Sequence, residues 1–371
     1  MTRSVRSISG DSLLVGELPR GCSLCTKGSK MVLFVTGLCD SSCYYCPLSK
    51  EKAGKDVIFA DEMPVSDDND MLYEIEAIGG EGAGISGGDP LCSIERTLYY
   101  ISLLKIRQGG DFHIHLYTSK ANADESVLQR LRDAGLDEIR FHPQSKDWSG
   151  ISSALRIGLD VGIEVPALPG NAEQLKNVAR RAEEMGVSFM NINELEASET
   201  NFQRLVALGM RLTDLERASI DGSADVAREV LEWASSNLKT LSVHYCSSRF
   251  KDSVQMRNRL ERRLVRTIRE FEERDEDEPL LVLGIIRGRL SEKLDQEHLD
   301  TIQHILTSEF EVPVRLMNVD TVRMRVEIAP WVLEQIADEL KRLLPQDVAM
   351  EIGIALEYPS WDRLQTMFSP L

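Results

Sequence analysis

The sequence has no long apolar run and no signal-type amino terminus, so neither membrane insertion nor export is expected. Basic charge is in deficit, with 43 Lys and Arg against 60 Asp and Glu and a formal net charge of -17. That excludes a surface generally built for nucleic acid, though not a local basic site. Cysteine is absent beyond Cys246, so the C-terminal part can hold no iron-sulfur centre through thiolates. The seven cysteines lie upstream, clustered as metal ligands are spaced, which points to a reducing, cytoplasmic setting. At 371 residues the chain is too long for one ordinary domain, and a barrel with an appendage is the starting expectation.

The densest chemistry lies in residues 31–47, MVLFVTGLCDSSCYYCP. An apolar, β-branched run over 32–36 reads as a strand, is cut by Gly37, and is followed by Cys39, Cys43 and Cys46. A C-x3-C-x2-C loop can place three thiolates on three irons of a cubane cluster and leave the fourth iron open to a ligand. Tyr45 can set a ring and backbone groups against a flat base. A zinc loop would need a distant fourth ligand. Downstream, the strand-like 84–86 runs into Gly87-Gly88-Asp89-Pro90, a turn whose carbonyls can accept from an ammonium group and whose glycines admit close approach.

In these two stretches the chain resembles the radical S-adenosylmethionine (SAM) superfamily, and within it the archaeal and bacterial group related to pyruvate formate-lyase activating enzyme. A zinc loop would not account for the Gly-Gly-Asp-Pro turn. The resemblance implies a 4Fe-4S cluster on Cys39, Cys43 and Cys46 that binds SAM and cleaves it reductively to a 5'-deoxyadenosyl radical for hydrogen abstraction. It implies that Gly87, Gly88 and Asp89 hold the amino group of SAM, Asp89 standing where Glu is commoner, and that Tyr45 lies by the adenine. It also implies an electron donor such as ferredoxin or flavodoxin.

Strand and helix alternate from here: helices over 71–79, 94–107, 124–134, 151–159, 172–184 and 224–237, and strands over 112–118, 138–142, 162–167, 188–192 and 240–245. The expected fold is α/β, a partial (β/α) barrel of the radical SAM type over residues 31–275. Its site lies at the carboxyl ends of the strands. Thr118, His142 and Asn193 fall there and are further candidates for touching SAM or substrate. His113 and His115 share one face of their strand, upstream of that end, and read as structural. The acidic run 270–278 marks a boundary, and residues 279–371 scan as βαββαβ, a smaller α+β ferredoxin-like domain. With 9 Lys and Arg and 15 Asp and Glu it is too acidic for a general RNA-binding sheet. A recognition or dimerisation module is the better expectation, although fold alone does not decide it.

Residues 1–30 read as a polar lead-in carrying Cys22 and Cys25. A C-x2-C pair is half of a metal site, and His244 and Cys246 could complete it as a second centre, zinc or an auxiliary iron-sulfur cluster; ordinary reduced cysteines are the alternative. A long helix over 251–274, with Arg249, Lys251, Arg257, Arg259, Arg262, Arg263, Arg266 and Arg269 in or beside its first half, reads either as a solvated, salt-bridged helix or as a phosphate-binding surface. Three functions therefore stand open: a radical SAM enzyme acting on a protein or peptide, one modifying RNA, and a non-catalytic metal-binding protein. Nothing in the sequence names the substrate.

Overall fold

The computed structural model describes residues 3–214, 218–289, 292 and 294–371. The chain divides into two compact units, one ending at Arg259 and the other spanning Leu260–Leu371.

The first unit alternates strand and helix. In order come α1 (Arg20–Thr26), β1 (Lys30–Phe34), α2 (Asp68–Ile78), β2 (Gly82–Ser86), α3 (Ile94–Gln108), β3 (His113–Thr118), α4 (Glu125–Asp133), β4 (Glu138–Phe141), α5 (Ser149–Arg156), β5 (Asp160–Ala167), α6 (Ala172–Met185), β6 (Phe189–Glu194), α7 (Phe202–Ala207), α8 (Ser223–Asn237) and β7 (Ser242–Cys246). Local signals set several ends. The Asp67 side chain and that of Asp70 form a reciprocal capping box at the start of α2, and left-handed Gly79 stops it. Every residue of β4 is buried, as in a sheet covered on both faces.

Strands β1 to β7 lie side by side in chain order, each parallel to the next. Register brings their carboxyl ends level: Phe34 pairs with Ser86, Thr118 with Phe141, and Asn193 with both Pro166 and Cys246. The loops after these strands therefore share one edge, which is where the site is built. One large apolar core, including Met31, Ile85, Leu116, Ile139, Ile163 and Val243, packs between sheet and helices.

The lead-in is not separate from this unit. Leu13–Val15 pairs antiparallel with β7, and Arg6–Ser7 pairs with Leu13–Val15, so the amino terminus closes one edge of the sheet. Cys22 and Cys25 lie within α1 rather than in a loop.

The second unit contains β8 (Leu281–Gly288), α10 (Gln296–Ser308), β9 (Met317–Asp320), β10 (Arg325–Ile328), α11 (Pro330–Leu343), β11 (Met350–Glu357) and β12 (Gln365–Pro370), preceded by the end of α9 (Arg257–Thr267). The sheet is antiparallel in the order β9-β10-β8-β11-β12. Ile286, Leu299, Ile302, Val326, Leu333 and Leu340 are in its core. Asp295 caps α10 at Gln296. The boundary expected at 270–278 falls earlier because that run belongs to the second unit. Glu270 pairs with Arg315 and Glu272 with Arg363, while Glu273–Arg274 adds a short strand to β8. The expected helix over 251–274 is likewise broken: Lys251–Met256 is π-helical, and α9 stops at Thr267.

Candidate active site

Cys39, Cys43 and Cys46 follow β1 and line one open cavity of about 740 Å³. Gly87, Gly88, Tyr45, Thr118, His142 and Asn193 line the same cavity, so residues from four strand ends and the cysteine loop converge there. Burial raises the Cys39 and Cys43 thiols above the ordinary value.

Gly87 and Gly88 are glycines for a packing reason. A Cβ on Gly87 would lie 2.6 Å from the Thr36 carbonyl oxygen, and one on Gly88 would collide with the carbonyl oxygens of Gly37 and Leu38. The turn is pressed against the start of the cysteine loop, and Gly88 N–H and Asp89 N–H donate to the carbonyls of Thr36 and Leu38 at 2.7 and 2.8 Å.

Asp89 is bonded within the protein. It is 1 % exposed and does not line the cavity. Its carboxylate accepts from Leu91 N–H at 3.0 Å, Thr118 Oγ1 at 3.0 Å, Ser119 N–H at 2.9 Å and Ser119 Oγ at 2.7 Å. Aspartate is one methylene shorter than glutamate, and here it caps the Pro90–Ser93 turn instead of reaching into the open space.

Tyr45 is held at both ends. Its hydroxyl lies 2.7 Å from His142 Nε2, and its carbonyl accepts from Asn201 Nδ2 at 3.0 Å. His142 Nδ1 lies 2.8 Å from the Glu164 carbonyl oxygen, which can only accept. That fixes the proton on Nδ1 and makes Nε2 the acceptor of the tyrosine O–H. Burial lowers the His142 pKa, in keeping with a neutral ring. The segment after β6 secures the loop further: Thr200 Oγ1 donates to the Leu48 carbonyl at 2.6 Å, Glu199 pairs with Lys50, and Leu205 and Ile220 belong to a small apolar cluster with Tyr44 and Tyr45.

Arg140 and Glu164, neither legible as site residues beforehand, form the inner wall. Arg140 is buried and pairs with Glu138 at 2.5 Å and with Glu164 at 3.2 Å. Glu164 also accepts from Asn191 Nδ2 at 2.9 Å and Asn193 Nδ2 at 2.7 Å, so Asn193 is oriented by a carboxylate. Burial disfavours the Glu138 charge, but the Arg140 guanidinium and His113 more than offset it and hold the carboxyl down at about 2. His113 and His115 are both buried, His113 beside Glu138 and His115 Nε2 3.1 Å from the Tyr117 hydroxyl, as structural residues would be. Polar residues alternating with apolar ones, Glu-Ile-Arg-Phe in β4 and Ile-Glu-Val in β5, were the available signal.

Of the residues expected as a second metal centre, Cys22, Cys25 and Cys246 lie within electrostatic reach of one another. Asn191 lies between two of its members, donating from Nδ2 to Cys22 Sγ at 3.3 Å and presenting Oδ1 3.2 Å from His244 Nδ1. Burial raises the Cys22 and Cys246 thiols. The arginine-rich segment is not a free cationic face. Arg249 pairs with Asp11, Lys251 with Glu196, Arg259 with Asp61 and Arg269 with Glu272 and Glu327, while Arg263 is buried and bonded to the Pro359 carbonyl.

The cysteine loop fits a cluster. Three thiols face one cavity, no other cysteine lines it, and both ring nitrogens of His142 are engaged. Such a donor set leaves one iron without a protein ligand.

Comparison with known proteins agrees. A family model described as the radical SAM superfamily matches residues 33–192. A protein of Methanocaldococcus jannaschii named "Putative glycyl-radical enzyme activating enzyme MJ0021" is 34% identical over 368 residues, covering 96% of this chain and 93% of its own. The chain belongs to the radical SAM superfamily. It is an enzyme, and the cofactors of its family are a 4Fe-4S cluster and SAM. Residues 280–371 match a family described only as a domain of unknown function. Among solved structures, methylornithine synthase aligns at TM-score 0.39 and 12% identity, covering 57% of this chain and 67% of its own. Coproporphyrinogen III oxidase from Escherichia coli aligns at 0.36 and 15%, covering 59% and 56%. Among the described residues no helix is long and apolar enough to cross a membrane.

Proposed function

We propose that this protein acts on a polypeptide, as an activating or side-chain-modifying enzyme. Cys39, Cys43 and Cys46 would hold the cluster, with Gly87 and Gly88 turning carbonyls toward the SAM amino end. When bound, cluster and SAM together supply a 5'-deoxyadenosyl radical that removes a hydrogen atom from the substrate. This chain's residues supply position and exclusion of water: Tyr45 and His142 fix the loop, and Glu164 orients Asn193 at the cavity wall. The carrying observation is the single cavity shared by the three thiols and the Gly-Gly turn.

A polypeptide is favoured over RNA by the printed name of the M. jannaschii relative and by the ion pairing of the arginine-rich segment. The second unit, read as a ferredoxin-like sandwich with two added strands, is the docking module in this reading. Ferredoxin or flavodoxin in the cytoplasm would supply the electron.

The test is anaerobic reconstitution, then reduction with SAM. Methionine and 5'-deoxyadenosine should appear, and should vanish with Cys39→Ala, Cys43→Ala or Cys46→Ala. In extract of cells grown on deuterated amino acids, deuterium should then move from protein into 5'-deoxyadenosine; transfer seen only from deuterated nucleosides in RNA would overturn the polypeptide reading.

A further inference from the structure

We infer that Asp89 is a positioning residue for the first cluster thiolate, acting through Ser119 and Ser41, and is not the ligand of the SAM amino group. Its carboxylate does not line the cavity and is saturated by donors. One of these, Ser119 Oγ, gives its only proton to Asp89 at 2.7 Å and so must accept at its lone pair. The acceptance comes from Ser41 Oγ in the cysteine loop at 3.0 Å. Ser41 N–H in turn donates to Cys39 Sγ at 3.3 Å. A directional chain thus runs from a buried carboxylate, across the end of β3, to the sulfur of the first cysteine.

Hydrogen bonds to cluster sulfurs are a principal control on reduction potential, because they stabilise the more negative, reduced state. The chain fixes the Ser41 backbone so that its N–H points at Cys39. An ammonium group in the cavity would meet the carbonyls of the Gly-Gly turn instead, since no oxygen of Asp89 is available to it. Asn at position 89 would present an NH2 group to donors that need acceptors, so Asp89→Asn should break the chain at its origin.

The test uses the reconstituted, cluster-loaded full chain and rests on the cluster assignment, which iron loss in Cys39→Ala checks separately. Asp89→Asn, Ser119→Ala and Ser41→Ala should each shift the g-values of the reduced cluster and lower its midpoint potential. The dissociation constant for SAM should change by less than about threefold. The double variant Asp89→Asn/Ser41→Ala should shift no further than the larger single shift, as members of one chain do. Should Asp89→Asn fail to take up iron, Ser119→Ala and Ser41→Ala decide. SAM binding weakened about tenfold or more by Asp89→Asn, with potential and g-values at wild-type values, would overturn the inference, as would additive shifts or no shift at all.

Discussion

The Tyr45 hydroxyl donates to His142 Nε2 at 2.7 Å, joining the cysteine loop to the end of β4 across 97 residues of sequence. Because His142 Nδ1 is tied to the Glu164 carbonyl, the ring cannot turn without losing both bonds. A neutral hydrogen bond of this kind contributes about 1 kcal/mol, near fivefold in the equilibrium between a seated and a loosened loop. Tyr45→Phe keeps the ring and deletes the bond, so a chelator should strip iron several-fold faster at unchanged initial content. Tyr45→Phe and His142→Ala should not add, because both remove the same contact. Additive rates would show that the two residues hold the loop independently.

Gly88→Ala should abolish cluster uptake. Its Cβ would meet two carbonyl oxygens of the backbone that leads into Cys39, and backbone cannot rotate aside as a side chain does. Gly110, where a Cβ meets nothing within 4 Å, supplies the control. Iron per chain after anaerobic reconstitution should fall sharply in Gly88→Ala and hold in Gly110→Ala. Equal loading would mean that the turn relaxes away from the loop.

Acid should weaken this fold in two stages. Burial lowers the His244 pKa to about 3 from an ordinary 6.5, so below pH 6.5 the unfolded chain binds a proton that the folded chain refuses. Stability is therefore full above pH 6.5 and falls as pH drops toward 3, by about 1.4 kcal/mol per pH unit for each such histidine. His115 and His142 are lowered in the same sense. Glu138, held at about 2 from an ordinary 4.5, adds a second loss between pH 4.5 and 2. Anaerobic urea denaturation at pH 7, 6 and 5 should show the first stage, and His244→Gln should shallow its slope by about one proton. An unchanged slope would mean that His244 already carries a proton when folded.

Sequence revealed the parts of this site that lie close together along the chain. Cys39, Cys43 and Cys46 fall within one loop, and the Gly-Gly turn follows a strand directly, so spacing together with the family resemblance marked them as candidates. The Arg140, Glu164, Asn191 and His244 network joins four strands, and neither which strands pair nor which face turns inward was fixed by any one segment. Asn191 is one example: its amide bonds both Cys22 and His244, which no cysteine count could reveal. Leu13–Val15 is only three residues long, too short for alternation to show, although it closes a sheet edge.

The second unit carries its own buried charges. Arg325 pairs with Glu327 at 2.6 Å and with Glu357, and Glu357 also accepts from Arg363 Nε at 3.1 Å. Arg325 is 4 % exposed and Glu357 0 %. Attraction inside a protein roughly offsets the desolvation of such a group, so its presence is weak support for stability, whereas removing one partner leaves a buried charge uncompensated. Glu357→Gln should therefore cost about 3–5 kcal/mol, while Arg325→Met combined with Glu357→Leu should recover much of that loss. Chemical denaturation followed by tryptophan fluorescence, with Trp331 and Trp361 as reporters in this unit, would measure both. If the double variant were the less stable of the two, the network would be a net stabiliser in its own right, and the acidic residues of this unit would owe their number to structure rather than to solubility.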